Sequence, residues 1–413
     1  MKLFISLLVL AELVALSLGQ AKVQNANIEP ELVVPNSYIV KYKSGISSSS
    51  KTKHEDIIHK KAKSKGKVGV VDKIDLDGFK GYVAEIPSSE LKAVTDSDLV
   101  DYVEKDTIVN ISAVAAPSLG LHMKRGFATQ KNAPWGLSRI SQLNPGDGDN
   151  TRYTYDTTAG SGTTVYVLDS GIRTTHKEFG GRAFWGANFI TGSPDTDELG
   201  HGTHVAGIIG GKTYGVAKAC RIYAIKVIDK DGTGSMSGIL QGLQWAVNHA
   251  KSRGITKKSI INASITGPYS KMGNDAVKAA TDLGITYVTS AGNAGDDVAN
   301  YSPASAPSAI TVGSIDGASY RTIWSNYGTL IDIFAPGSDI LSAGYLSDSS
   351  SAYMSGTSMA SPHVAGLAAY FMAKEGLRGS TAVTKRIIAA ADISGVGSAF
   401  GSPSRIAYNG GSK

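Results

Sequence analysis

Residues 163–171 read TTVYVLDSG, a run of apolar and β-branched residues that stops on Asp169 and turns at Ser170-Gly171. A strand with one wet face alternates apolar and polar side chains, whereas a near-continuous apolar run marks a strand covered on both faces. The same pattern returns in IYAIKVID (222–229), SIINASITG (259–267), ITYVTSAGN (285–293) and AITVGSID (309–316). Helix-like stretches separate these runs, among them SGILQGLQWAVNHAKSRG (237–254) and GNDAVKAATDLG (273–284). Buried strands alternating with helices predict an α/β fold, with a doubly wound, mainly parallel sheet and helices on both faces. In such sheets chemistry gathers at the carboxyl ends of the strands.

Upstream the style differs. SYIVKYKSG (37–45) and FKGYVAEI (79–86) read as strands, the serines at 47–50 as a cap for a charged helix, SSELKAVTDS as a short serine-capped helix, and LVDYVEKDTIVNI as returning extended chain. This is a small α+β unit with a folded core over about 37–110. A loop-like seam with the dibasic pair Lys124-Arg125 follows, so residues 111–127 read as a cleavable linker and 128–413 as the large domain. The N-terminus carries Lys2, an apolar run from Leu3 to Leu18, and Ser17-Leu18-Gly19, which predicts a signal peptide cut after Gly19 and a secreted protein. The run is short for a membrane span, and Glu12 lies within it. No later segment is apolar for long enough to cross a bilayer.

The 413 residues are 42% hydrophobic and 18% charged, ordinary for a globular enzyme with a substantial core. A formal net charge of +6, without Lys/Arg runs interleaved with aromatics, argues against nucleic-acid binding. The single cysteine, Cys220, excludes an intrachain disulfide and reads as a packed small hydrophobe.

Three residues sit where chemistry is expected. Asp169 closes its strand. GHGTHVAG (200–207) puts His201 at a glycine-flanked turn into a helix, with His204 three residues on. SGTSMASPHVAGLAAYFMA (355–373) puts Ser358 at a helix start, where the dipole favours a developing anion, with Pro362 tolerated in the first turn or so. Each has a plainer reading: turn former for Asp169, metal ligand or packed residue for the histidines, N-cap for Ser358. Asp, then His, then Ser is nevertheless a known chain order for a nucleophilic triad. A zinc site is disfavoured, because HGTH supplies neither the glutamate of HExxH nor a third ligand.

DSG, GHGTHVAG, SAGN and GTSMASPHVAG, in that order, resemble the four signature blocks of the subtilisin-like serine proteases. NAPWGLSRIS, YSPASAPSAITVGSID and SNYGTLIDIFAPG resemble the proteinase K branch, and the likeness covers nearly all of 128–413. Residues 37–110 resemble, more loosely, the family's inhibitory propeptide. The resemblance implies a secreted, broad-specificity endopeptidase made as an autoinhibited zymogen and favouring apolar or aromatic residues before the cut. His201 would be the general base for Ser358, Asp169 would orient the imidazole, and Asn293 would donate to the oxyanion together with the Ser358 N–H. His204 then reads as a packed helix residue. Substrate would bind as an added strand against Ser264, Ile265, Thr266 and Gly267, with Ser290, Ala291 and Gly292 as another wall. Thr266 stands where many relatives carry glycine, which implies an altered subsite preference. The implied ligands of a structural calcium are Pro307, Ala309 and Asp332, and catalysis needs no cofactor. The mature chain would begin at Ala128 after cleavage behind Phe127, with cleavage after Arg125 as the alternative, and would be a monomer. Partners are protein substrates and the chain's own propeptide, with no nucleic acid and no membrane. Asn110, Asn262 and Asn300 head glycosylation sequons, with Asn262 discounted because it falls in the substrate strand.

Two other readings stand beside this one. An esterase of the α/β-hydrolase type fits poorly, because Ser358 lies in G-T-S-M-A rather than G-x-S-x-G and the triad order differs. A catalytically silent relative acting as a secreted binding protein is opposed by the intact triad and oxyanion residues.

Overall fold

A computed structural model describes residues 20–111, 127–143 and 151–411. The expected cleavage after Gly19, the seam 112–126 and the alternative cut after Arg125 lie outside the described residues, as does the Phe127 side chain. The chain divides into two compact units, one ending at Thr107 and the other beginning at Ile108.

The first unit is an α+β fold. Its strands run in the order Lys22–Val23, Val100–Asn110, Val33–Tyr42, Phe79–Glu85, Gly69–Leu76. All neighbours are antiparallel except the first pair. The helix Ser48–Lys63 is capped by the Ser47 hydroxyl, which accepts the Ser50 N–H at 3.1 Å. Ile58 and Ala62 on that helix join Tyr38, Val40, Tyr82 and Ala84 in the core. Two details differ from expectation. The serine-capped helix at residue 88 is a 3₁₀ turn, Ser88–Glu90, leading into Leu91–Thr95, and its entry residue is Pro87, with no side-chain cap. The folded unit also starts earlier than residue 37, because Lys22 and Val23 pair with Tyr102 and Val103.

The second unit holds a seven-stranded sheet in the order Ile333–Pro336, Ile310–Ile315, Thr286–Ser290, Ser259–Ala263, Thr164–Asp169, Arg221–Lys226, Ala183–Asn188. Every neighbouring pair is parallel. All residues of Thr164–Asp169, Ser259–Ala263, Thr286–Ser290 and Ile310–Ile315 are buried, as continuous apolar runs require. The chain begins the sheet at Thr164–Asp169, adds two strands on one side, then crosses to add four on the other. The crossing makes a topological switch between Thr164–Asp169 and Ser259–Ala263, where a crevice opens beyond the carboxyl ends.

The helix Thr357–Lys374 is buried from Thr357 through Met372. A helix apolar on every side belongs inside a large core, and this one packs with the His201–Gly210 helix and the strands beneath them. The helix starts one residue before Ser358, which makes Pro362 its sixth residue, in the second turn. Proline removes the N–H that would bond the carbonyl four residues back, that of Ser358. The Ser264 hydroxyl donates to that oxygen instead, at 3.0 Å. A helix defect thus ties the start of the helix to the segment across the switch point.

Candidate active site

Asp169 ends its strand with no exposure, and His201 opens its helix at 2%. The His201 Nδ1 lies 2.7 Å from Asp169 Oδ1, which also accepts the Ser170 N–H at 2.8 Å. This arrangement leaves Nε2 of His201 as the outward nitrogen, buried and without a partner among the described residues. Ser358 is the second residue of its helix and 3% exposed. Its Oγ donates to the Ser264 carbonyl at 3.1 Å rather than to His201. Asp169 and His201 are therefore joined by a hydrogen bond, whereas the Ser358 hydroxyl is turned to another acceptor and must be redirected before its proton can pass to Nε2.

Asn293 follows the strand Thr286–Ser290. Its Oδ1 accepts both the Thr357 N–H (2.9 Å) and the Thr357 hydroxyl (2.8 Å), and the Thr357 Oγ1 accepts the Gly292 N–H at 3.1 Å. With its oxygen held, the amide presents Nδ2 as its free donor end. Asn293, Ala294, Thr266, Asn110 and Ser358 line a cavity of about 210 Å³. From sequence Thr357 reads, with Gly356, only as giving a tight approach before Ser358; its hold on the Asn293 amide is not marked there.

Ser264, Ile265, Ser290 and Ala291 are buried and do not line this cavity. Gly292 has φ +100, and a Cβ there would lie 2.5 Å from Asn326 Nδ2 and 3.0 Å from the Thr266 methyl. Backbone conformation and space both demand glycine at 292, and the Thr266 methyl comes close to that wall. Gly267 pairs with Ser302 in a short ladder. Within this unit, Asn110 pairs with Thr266 through both backbone hydrogen bonds (3.0 and 3.2 Å), the Ile111 N–H donates to Gly232 O at 3.1 Å, and Val109 pairs with Gly234. The segment 108–111 lies as an added strand between two others.

His204 is fully buried, its Nε2 2.9 and 3.0 Å from the carbonyls of Ile340 and Ala352. Burial pulls its pKa down to about 3, so it is a neutral residue pinning two strands. Burial likewise raises the Cys220 thiol to about 12, as befits an inert packed side chain. Asn262 is wholly buried with its amide on Ser264, out of reach of glycosylation; Asn110 and Asn300 are exposed. Asp332 is half-buried, accepts the Thr311 N–H at 2.8 Å, and is pushed up to about 6 by desolvation. Pro307 is exposed and Ala309 buried, and the Ser308 hydroxyl between them is a buried group without a partner among the described residues. A desolvated carboxylate and an orphaned oxygen suit a hard cation that binds oxygen.

Two family profiles match the chain: the subtilase family over residues 160–402, and the peptidase inhibitor I9 family over residues 37–112. The chain is 43% identical over 380 residues to Subtilisin-like protease 2 of Pseudogymnoascus destructans, covering 92% of this chain and 90% of that protein. It is 43% identical over 388 residues to Alkaline protease 1 of Aspergillus clavatus, covering 92% of each. Among solved structures, a cold adapted subtilisin-like serine proteinase superimposes with a TM-score of 0.63 at 38% identity, spanning 68% of this chain and 99% of that one. A strand-end aspartate hydrogen-bonded to a helix-start histidine, across a switch point from a helix-start serine, agrees with these matches: the chain belongs to the subtilase family of serine endopeptidases, with an inhibitor-type propeptide ahead of its peptidase domain.

Proposed function

We propose that Ser358, His201 and Asp169 perform peptide hydrolysis in a secreted enzyme held silent by its own N-terminal unit. The observation that carries this reading is the 2.7 Å contact between His201 and buried Asp169, with the opposite imidazole nitrogen left open. His201 Nε2 takes the Ser358 proton as Oγ attacks the scissile carbonyl, then returns it to the leaving amine; water repeats the sequence to free the acyl group. The imidazolium formed in each half is stabilised by Asp169. The Asn293 amide and the Ser358 N–H stabilise the oxyanion. No cofactor enters these steps.

Strand addition at Thr266 and Gly232, already satisfied by the chain's own Asn110 and Ile111, supports both extended peptide substrates and an intramolecular inhibitor. Main-chain recognition favours broad selectivity. The small wall at Ser290, Ala291 and Gly292, behind Ser264 to Gly267, favours an apolar or aromatic residue before the cut. Mass spectrometry of the secreted protein incubated with denatured casein tests the reading: casein is cut, and the mature chain starts at Ala128, after Phe127. A start at residue 126, after Arg125, would instead indicate a dibasic convertase. Intact casein would reject the assignment, including in favour of an esterase or a silent binding protein.

Thr266→Gly removes the methyl that approaches Gly292. Its cleavage profile on a peptide library is expected to broaden toward larger residues around the cut; an unchanged profile would show that the methyl does not shape the cleft.

Asp332, with the carbonyls of Pro307 and Ala309, would hold a structural calcium, which supplies no chemistry to the reaction. An ion at about a hundredfold over its Kd stabilises the folded state by about 2.7 kcal/mol, equivalent to roughly 4 °C in Tm at this size. Chelation is expected to lower Tm by about that amount, reversibly on adding calcium, and to leave Asp332→Asn unaffected.

A further inference from the structure

Asp197 lies in the turn before the His201 helix and is 4% exposed. Its Oδ1 accepts the Ser170 hydroxyl (2.8 Å), the Leu199 N–H (3.1 Å) and the Gly200 N–H (2.8 Å). Its Oδ2 accepts the Thr203 N–H (2.8 Å) and the Thr203 hydroxyl (2.6 Å). Five donors converge on one carboxylate, and they come from two places: the residue directly after Asp169, and the turn on either side of His201.

The sequence explains why a carboxylate stands there. The His201–Gly210 helix has Gly200 as its N-cap, at φ +93 and with no side chain to cap with. Its first N–H groups need an acceptor from elsewhere, and Asp197 and Ser170 supply it. Gly202 presses the helix start against the strand end: a Cβ there would fall 2.0 Å from Gly171 O and 3.2 Å from Asp169 Cβ. In that contact the Gly202 N–H donates to Ser170 Oγ at 3.0 Å, and Ser170 Oγ donates onward to Asp197. On the other side, the wholly buried Lys226 ammonium donates to Ser170 O and Thr196 O, both at 3.0 Å, and pairs with Glu198 at 3.1 Å. Both main-chain segments that flank the Asp169–His201 hydrogen bond are thus tied to one buried network.

We propose that Asp197 is a positioning residue, whose carboxylate sets the distance and angle between Asp169 and the His201 imidazole by holding Ser170 and the Gly200–Thr203 turn together. This rests on the triad assignment above. An amide cannot replace it: asparagine offers one accepting oxygen, so in either orientation its N–H groups face donors, either the Thr203 N–H or the Ser170 hydroxyl with the Leu199 and Gly200 N–H groups, and that side is pushed away. A misplacement of about 1 Å in a catalytic group costs on the order of 10²-fold. Peptide binding is expected to be spared, because the strand-pairing atoms belong to Gly232, Gly234 and Thr266.

The test compares mature wild type, Asp197→Asn and Ser170→Ala, each freed of its propeptide by trace wild-type enzyme and titrated for active sites with a fluorophosphonate. Asp197→Asn is expected to lose about 10²-fold in kcat with KM within about threefold, and to shift the low-field NMR resonance of the His201 Nδ1 proton. Ser170→Ala breaks only the link through the hydroxyl and is expected to lose on the order of 10-fold. The double variant should be no worse than Asp197→Asn alone. A role confined to stability would lower Tm while leaving kcat per titrated site and the proton resonance at their wild-type values, and that result overturns the proposal. If Asp197→Asn does not fold, Ser170→Ala decides: an unchanged kcat and resonance overturn it. Wild type that fails to label at Ser358 would bring down the triad assignment; wild type that labels, with variants equally fast, brings down only the role of Asp197.

Discussion

Ser358→Ala is expected to lower kcat by about 10⁶-fold, the magnitude known for loss of the nucleophile in a subtilisin, a relative in the same family. The variant should also remain uncut at its propeptide junction and take no fluorophosphonate label. Folding should survive. Among the described residues the hydroxyl makes one hydrogen bond, to Ser264 O at 3.1 Å, and losing one such bond costs about 1 kcal/mol. The Ser358 carbonyl, which holds Ser264 across the switch point, is retained in the variant. A residual rate on the order of 10³ above water would be attributable to Asn293 and substrate binding. Near wild-type turnover would refute the nucleophile assignment outright, whatever the family match.

Asp169→Asn is expected to be the next largest loss, about 10⁴-fold in kcat with little change in KM. The Asp169 Oδ1 accepts both the His201 Nδ1 proton and the Ser170 N–H. An asparagine keeps the shape, but it cannot balance the imidazolium, and in one of its two orientations it selects the wrong tautomer. Steady-state kinetics on a soluble peptide substrate, with sites counted independently, checks the result. A loss of tenfold or less would mean that His201 is oriented by something other than residue 169.

The strands were legible because burial on both faces is a local property of side chains. TTVYVLD, SIINA, ITYVTS and AITVGSI all became interior strands of the parallel sheet. Gly69–Leu76 was missed. A bulge between Val70 and Asp72 breaks its alternation, and Val71 is half exposed, so neither strand pattern holds along it. Asp197 was passed over for a related reason. Helix starts are recognised by a capping side chain at the cap itself, and here the cap is a glycine whose acceptor sits three residues upstream. Lys226, an ammonium inside an apolar strand run, was a signal that could have been read, since lysine is almost never fully buried without partners.

Sequence alone determined which residue types stand at which element ends: an aspartate closing a strand, a histidine and a serine opening helices, an asparagine after a strand. These follow from periodicity and punctuation within a few residues of each position. Only the tertiary structure decided that the chain crosses the sheet between Thr164–Asp169 and Ser259–Ala263, that Ser264 faces Ser358 across that crossing, and that Thr357 turns the Asn293 amide. Those hydrogen bonds join residues 94 and 64 positions apart. Their partners are chosen by strand order and helix packing, which no local pattern encodes.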